Sequence, residues 1–294
     1  MNRGDLFSTF STDQVVLALC FIGGYIDCTG YIKLHELFTS SITGNLVVAA
    51  TNIFDGSNEI TVRALVCLSF GLGAFLSTLL AVRLRLRFMY NKWESATSLF
   101  GLEILCLLVA MLVGVSIEYA GAGFPRLVCW QTILTSSLLG FAMGTHNGAV
   151  TESIDGCPST TVMTMTIVKT ATASANALLY YLASTYTSYP AAALYGEDRK
   201  PQGYDESVRS KYITQRDKFL GGFFNILAFT GGAIGASLAF TVGISFWAIL
   251  IPVLLLVVIV VDVKQAQRHQ RSALLDGDLS SSDSAQLTQA AKGT

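Results

Sequence analysis

Charged residues are scarce in this chain, and their scarcity excludes most soluble folds. Of its 294 residues, only 13% are Asp, Glu, Lys or Arg, whereas 52% are hydrophobic and the mean hydropathy is +0.53. Soluble domains usually carry about 25% charged residues. The formal net charge of -1 leaves no basic field that would attract nucleic acid or an acidic substrate. We therefore expect an integral membrane protein without a nucleic-acid partner.

Motifs for enzymatic or metal chemistry are also missing. The six cysteines show no CxxC spacing and lie mostly within apolar runs, so neither a disulfide framework nor a metal site is predicted. No Ser/His/Asp arrangement, His-rich metal box or phosphate-binding loop is identified. The sequence thus predicts no catalytic residue, no cofactor and no enzyme activity. The amino terminus lacks a basic segment and an Ala-x-Ala site, so we expect the first apolar run to be retained.

Long apolar runs are what the chain has in abundance. Each run is close to the ~20 residues that cross the hydrocarbon core of a bilayer. A soluble domain of this size would not need so many of them. The sequence therefore predicts six transmembrane helices, over Val15–Ile32, Ala64–Val82, Thr97–Ile117, Leu127–Val150, Phe219–Phe240 and Ile244–Val261.

Basic residues predict the orientation of these helices. Four Lys or Arg side chains fall within 83–92, between the second and third runs, and the positive-inside rule places that loop in the cytosol. Six spans then put both termini and the long loop 186–218 in the cytosol as well. If the polar segments 39–53 and 159–185 were also full spans, the basic residues of 186–218 would lie outside. We therefore prefer six spans.

Two parts of the chain resemble each other in outline, which indicates an internal duplication. The first is Gly24–Thr51 and the second is Gly144–Thr172, and a later ungapped match aligns 68–80 with 227–239. Identical pairs in that match are Leu68/Leu227, Phe70/Phe229, Gly73/Gly232, Ala74/Ala233 and Leu79/Leu238. With six spans, the first unit starts inside and the second starts outside. The prediction is an all-α polytopic membrane protein of 3+3 inverted repeats, a pattern that places a site between the halves.

The predicted organisation follows from the runs and the repeat. It comprises a cytosolic amino terminus 1–12, a first membrane repeat 13–117, a short outside loop 118–127, a second membrane repeat 128–262 that includes the cytosolic loop 186–218, and a disordered cytosolic tail 263–294.

A short polar helix is predicted after the first span of each repeat. In the first repeat, Glu36–Ile42 would descend as an extended chain and Thr43–Phe54 would climb back as a re-entrant helix. A surface loop with a short interfacial helix remains the alternative. In the second repeat, a straight helix over Ser159–Thr185 would be long enough to cross the bilayer. That element is therefore predicted as re-entrant, broken near Lys169, or a full span.

Ionisable residues inside apolar runs are the strongest pointers to function, because an isolated charge there is costly. Asp27 leads them, with Asn147 as its uncharged counterpart in the repeat and Lys169 as a predicted cationic neighbour. His146 is of the residue type that titrates near neutral pH. A solute or proton site and a purely structural role in helix contacts both stay open. Glu103 is expected to extend toward the cytosolic interface.

Small polar residues and glycines complete the candidate set. Thr43, Gly44 and Asn45 in the first half, and Thr164 in the second, offer hydroxyl, backbone and amide groups at matching places. They would either bind a solute or hold helices together. Glycines at spacing four, with Gly140 first, predict faces for close helix crossing.

These residues together resemble the YoaK-like family, whose members carry domain of unknown function 1275. The resemblance rests on Gly24-Tyr-Ile-Asp27 with Thr43-Gly44-Asn45-Leu46, and on Gly144-Thr-His146-Asn147-Gly148 with Thr160-Thr161-Val-Met-Thr164. It implies a compact membrane fold and no established activity. The long segment 186–218 and the polar tail depart from the compact family pattern and suggest a fungal-type member. Met165 stands where the family pattern has glycine.

The leading functional hypothesis is a small-solute transporter or channel-like carrier, with proton coupling through Asp27. The alternative is a membrane scaffold or lipid-binding protein in which the same polar groups only pack helices. Expected partners are the lipid bilayer and a small-molecule or ion solute whose identity the sequence does not give, with homo-oligomerisation left open. We expect the plasma membrane rather than an organelle.

Overall fold

Helices are the only regular secondary structure in the described part of the chain. The computed structural model describes residues 10–52, 59–88, 92–121, 124, 126–153, 163–186 and 204–268. Its helices are α1 Thr12–Lys33, α2 Ile42–Asn52, α3 Glu59–Phe88, α4 Lys92–Tyr119, α5 Trp130–Ser153, α6 Met163–Tyr186, α7 Tyr204–Thr241 and α8 250–268, the last preceded by a 3-10 turn at Phe246–Ile249. This confirms the predicted all-helical class.

Helix α1 begins and ends at local signals in the sequence. The Ser11 hydroxyl accepts from the Gln14 backbone N–H, and the Gln14 side chain accepts from the Ser11 N–H, which forms a capping box. At the other end, the Leu34 N–H donates to Gly30 O at 2.9 Å. His35 and Glu36 then adopt positive φ angles of 56° and 59°, so the helix cannot continue. The chain turns back toward α1.

Helix α2 returns to the level at which α3 begins. The carbonyl oxygen of its first residue, Ile42, lies 3.9 Å from Cys67 Sγ, two turns inside α3. At its other end, Asn52 Nδ2 donates to Glu59 Oε2 at 3.1 Å. The two helices therefore run antiparallel, and α2 starts in the interior. This is the path expected of a re-entrant helix, and α2 begins one residue before the predicted Thr43.

Two pairs of helices run parallel and cross closely. Along α3 and α5, Val66 faces Gly140 and Ser77 faces Gly148. Helix α1 crosses α7 where Gly24 meets Phe229. Further along the same two helices, Lys33 Nζ lies 5.1 Å from the Phe240 ring centroid. Helix α5 also packs against α4, and α6 packs against α7.

Helices α6 and α7 run antiparallel, because their contacts occur in opposite order. Thr170 meets Gly222, whereas the Tyr181 and Tyr212 rings lie 6.0 Å apart. Helix α6 continues through Lys169 without a break.

The bundle has two polar ends. At one, which we call the Lys33 face, Lys33 Nζ lies 3.0 Å from Glu118 Oε1, at the carboxyl ends of α1 and α4. At the other, the Arg85 face, Arg85 pairs with Glu152 near the ends of α3 and α5. Helix α3, with 30 residues, joins the faces over about 45 Å.

Within the part of the chain that the structure describes, five helices are long and apolar enough to cross a bilayer, within Thr12–Lys33, Glu59–Arg87, Ser95–Tyr119, Val208–Thr241 and Phe246–Arg268. Helix α5 has 24 residues but is not among them, because polar side chains such as Gln131, Thr145 and His146 lower its hydropathy. The segment 204–218, expected to be part of a loop, is helical and extends α7. The rest of that loop, most of the tail and residues 1–9 lie outside the described residues.

Candidate solute and proton sites

The carboxylate of Asp27 is enclosed by the chain that follows α1. Its Oδ1 accepts from the backbone N–H groups of Thr39 and Ser40, each at 2.8 Å, and more weakly from that of Ser41 at 3.4 Å. The Ser41 hydroxyl donates to Oδ2 at 2.6 Å. Asp27 is 6% exposed. It therefore acts as an acceptor for the N–H groups that precede α2.

This arrangement solves an electrostatic problem of a helix that starts in the interior. The first N–H groups of a helix have no intrahelical partner, and a helix start carries partial positive charge. A carboxylate placed there accepts hydrogen bonds and stabilises the start. Asp27 does so from just ahead of α2, because the N–H groups that it accepts belong to residues 39–41 and not to the first turn of the helix. The Ser41 hydroxyl also donates to Asp27.

Asn45 holds the segment between α1 and α2 at Phe38, just before the groups that contact Asp27. Its Oδ1 accepts from the Phe38 N–H at 3.1 Å, and its Nδ2 donates to the Phe38 carbonyl at 2.5 Å. Asn45 is fully buried, whereas Thr43 is exposed on the outer surface of α2. A Cβ added to Gly44 would lie 3.0 Å from the Phe38 ring. Asp27 and Asn45 thus hold the two ends of one short loop.

A second buried polar pair joins α4 to α5. His146 Nδ1 lies 2.9 Å from Glu103 Oε1, and both side chains have no exposed surface. Glu103 Oε2 is buried and has no hydrogen-bond partner among the described residues. The Phe100 ring lies beside His146, with centroids 6.5 Å apart. The expectation that Glu103 extends to the interface is wrong, because its partner His146 lies on the neighbouring helix and both are enclosed.

Sequence reasoning named His146 but missed its partner. A signal was present, since Glu103 is the single acidic residue of an otherwise apolar run. The sequence alone does not say which helix faces it.

The other predicted site residues do not gather around Asp27. Asn147 is partly buried on α5 and donates from Nδ2 to Met143 O at 3.2 Å. Thr164 and Lys169 are exposed on α6, and Lys169 is not among the groups that contact Asp27. The segment 154–162, which would correspond to the loop around Asp27, lies outside the described residues. The site roles of all these residues stay predictions.

The two parallel crossings use equivalent residues of the proposed duplication. A Cβ on Gly24 would lie 2.8 Å from the Phe229 carbonyl carbon, and one on Gly144 would lie 2.9 Å from the Phe70 carbonyl carbon. Reciprocally, Gly73 packs on the α5 backbone and Gly232 on the α1 backbone. The glycine face predicted from Gly140 onward is therefore used for close packing against α3, and Gly232 has the equivalent role on α7.

Comparison with known proteins gives a family without an assigned activity. Within the described residues, no group of three or more His, Cys, Asp or Glu side chains is placed to hold a metal ion. No curated protein and no solved structure matches the chain. One family model, described as "Protein of unknown function (DUF1275)", matches residues 15–261, which is most of the chain. The protein therefore belongs to the DUF1275 family, as the resemblance in its Asp27 and Thr43-Gly44-Asn45 motifs predicted.

Proposed function

We propose that this protein is a small-solute transporter built from two inverted repeats of three spans each. The observation that carries the proposal is the exchange of partners between the halves: α1 of the first half crosses α7 of the second, and α5 of the second crosses α3 of the first. Equivalent glycines make both crossings. Such an exchange around a pseudo-two-fold axis is the architecture in which many transporters hold a central site.

Helix directions support the inverted arrangement. Helices α3 and α5 run parallel and both end at the Arg85 face, whereas α1 and α4 end at the Lys33 face. Helices α1 and α5 therefore run in opposite directions. The basic residues near Arg85 favour the cytosol for the Arg85 face. The α2 segment, which starts in the interior beside Asp27, adds the discontinuous helix that transporters use near the midplane.

Thiol labelling tests the inversion without knowledge of the solute. Cys129 lies just before α5, and Asp13 is exposed in the first turn of α1. Burial acts to raise the pKa of the Cys129 thiol, but hydrogen bonding with Thr132 outweighs it and holds that pKa below its usual value. A lower pKa favours the reactive thiolate at neutral pH.

The experiment compares two variants that each retain one thiol, Cys129 alone and Asp13→Cys alone. In sealed vesicles of one orientation, a membrane-impermeant maleimide should label one variant from outside and the other only after permeabilisation. Labelling of both from the same side would refute inverted repeats.

For proton coupling, the Glu103–His146 pair is the better candidate than Asp27. All polar contacts of Asp27 serve the loop before α2, so a proton on Asp27 would loosen that loop. Glu103 and His146 form a neutral pair either as an ion pair or as two uncharged groups, and a proton added to or removed from the ion pair leaves an isolated charge, which is costly in this environment. Such a pair changes its proton content only together with access to water or a charged solute.

Infrared spectroscopy tests this assignment through the carbonyl stretch of a protonated carboxyl group. We expect solute binding to change the intensity of this band in the unmodified protein and in Asp27→Asn, and the change to be lost in Glu103→Gln. A solute-dependent change that survives Glu103→Gln would contradict the assignment. Uptake of solutes into proteoliposomes under an imposed pH gradient then tests transport itself, with solutes chosen by the thermal stabilisation that binding produces.

A non-transporting scaffold or lipid-binding protein is the second candidate, and one observation favours it. Asp27 and Asn45 are both committed to holding the chain around Phe38 and Ser41, as a purely structural polar cluster would be. Single cysteines at 43–45 and 164–166, in a background without native cysteines, separate the two functions. Labelling at 45 by a water-soluble reagent supports a hydrated pathway, because Asn45 is buried in the bundle, and protection at every buried position supports the scaffold.

A further inference from the structure

Two neighbouring cavities open at the Lys33 face, away from Asp27 and His146. One, of about 530 Å³, is lined by Lys33 and Glu118, among others. The second, of about 540 Å³, lies between α3 and the segment before α5. His35 and Glu36 line both. Each volume is within the range of about 300–1,000 Å³ that small-molecule sites occupy.

Arg63 is the unusual residue of the second cavity. It is 4% exposed, and its Nη1 donates to the Glu36 carbonyl at 3.2 Å. Its Nε is buried without a hydrogen-bond partner, and no carboxylate among the described residues pairs with it. A buried guanidinium without an anion is unfavourable, because the desolvated charge is not compensated. Arg63 therefore lacks an anionic partner, and it borders a cavity that has room for one.

The remaining charged groups of this cavity limit what that partner can be. Arg126 adds a second cation, and Glu36 and Glu59 add two acids. Glu59 Oε2 already accepts from Asn52. A simple anion would gain from the two arginines but be repelled by the two carboxylates. A solute that carries one carboxylate and one ammonium group meets both signs of charge.

We propose that this cavity binds a small zwitterionic solute of the amino-acid class, with its carboxylate on Arg63 and Arg126 and its ammonium group toward Glu36 and Glu59. The fork of a guanidinium suits bidentate binding of a carboxylate.

Backbone strain at the cavity is an independent indication. His35 and Glu36 are successive non-glycine residues in the left-handed region, with φ angles of 56° and 59°, which is a strained conformation for residues with a Cβ. The His35 ring is held by its Nε2–H, which donates to the Phe124 carbonyl oxygen at 2.6 Å. Strain of this kind persists where the surrounding structure imposes it and clusters at ligand sites. Here it brings the Glu36 carbonyl to Arg63 and leaves the Glu36 side chain at the junction of the two cavities.

This inference rests on the proposed transport function in one respect only: in a transporter, this cavity is the entrance for the solute. Binding itself is measurable without transport, so the two fail separately. If the protein binds zwitterions in this cavity but transports none, the binding site stands and the transport function fails. If it transports another class of solute and does not bind glycine, the transport function stands and only this site fails.

The experiment measures binding to the purified full-length protein by isothermal titration calorimetry, with glycine as the zwitterion and acetate and methylamine as its two halves. We expect saturable binding of glycine that is at least tenfold tighter than that of either half. Acetate that binds as tightly as glycine, or no saturable binding of glycine, would overturn the proposal.

Variants locate the site. Arg63→Gln should lower glycine affinity at least tenfold, while Arg83→Gln, which removes an exposed arginine of the same helix at the other face, should leave it unchanged. Should Arg63→Gln fail to fold, Arg126→Gln and Glu36→Gln change exposed residues of the same cavity. Each substitution is expected to weaken glycine binding several-fold, and an unchanged glycine affinity in both variants would refute the site.

Discussion

The close crossings of α1 with α7 and of α3 with α5 give the sharpest prediction. At Gly24 and at Gly144, a Cβ would overlap the backbone carbonyl of the facing helix, so an alanine must push the two helices apart. Inserting a methyl group into a packed contact costs about 1–3 kcal/mol. Because backbone is less able to move aside than the end of a side chain, we expect the upper half of that range at both positions.

The same helices provide matched controls. A Cβ on Gly71 or Gly231 would meet nothing within 4 Å. In a helix interior, alanine is favoured over glycine by about 0.8–1.0 kcal/mol. Gly71→Ala and Gly231→Ala should therefore be neutral or stabilising. The crossing variants should lie about 2–4 kcal/mol below the controls in free energy of unfolding.

Reversible unfolding in mixed detergent micelles measures these differences. Pairs of substitutions then test whether the crossings are separate units. Gly24→Ala with Gly232→Ala affects one crossing, and its combined cost should be less than the sum, because the first substitution already separates the helices. Gly24→Ala with Gly144→Ala affects different crossings and should be additive within about 0.5 kcal/mol. Equal stability of Gly24→Ala and Gly231→Ala would refute the packing that defines the fold.

Further predictions concern the loop between α1 and α2 and are measured by the same unfolding assay. Asp27→Asn should destabilise by about 1–3 kcal/mol, because hydrogen bonds to a charged acceptor are lost, and a stability equal to the unmodified protein would argue against an ionised carboxylate at this helix start. Asn45→Ala should cost about 1–3 kcal/mol for each Phe38 backbone group left unpaired, whereas Thr43→Ala, two residues away on the exposed face of α2, should cost little. Glu36→Gly should be about 1 kcal/mol more stable than Glu36→Ala, since only glycine relieves the positive φ; the reverse order would show that the strain is not real.

Some contacts can be predicted from the sequence because they depend only on the spacing of nearby residues. The capping box at Ser11 and Gln14 follows from residues three apart, and α1 begins where it predicts. A short helix after the first span was predicted from polar composition and chain length, and Asp27 lies within reach of residues 39–41 because only a short turn separates them. Glycine spacing on α5 likewise predicted a face for close packing.

Other features depend on which helices become neighbours, and the chain's order does not state that. Glu103 is 43 residues from His146, and nothing in either run marks the other as its partner. Arg63 was not among the predicted site residues, because its burial and its unpaired Nε arise from the turn at Glu36 and from the segment before α5. The helical start of α7 at Tyr204 was also missed, since that part is rich in charge and shows no apolar periodicity.

By itself, the sequence determined that this protein is a bundle of membrane-length helices, because hydropathy, helix caps and glycine spacing act within single segments of chain. Only the tertiary structure decided which partners the buried ionisable side chains Asp27, Glu103 and Arg63 have. Asp27 accepts hydrogen bonds from the chain just before α2, Glu103 pairs with His146, and Arg63 pairs with no carboxylate among the described residues. In a medium of low dielectric constant, that difference in partners separates a structural charge from a binding site.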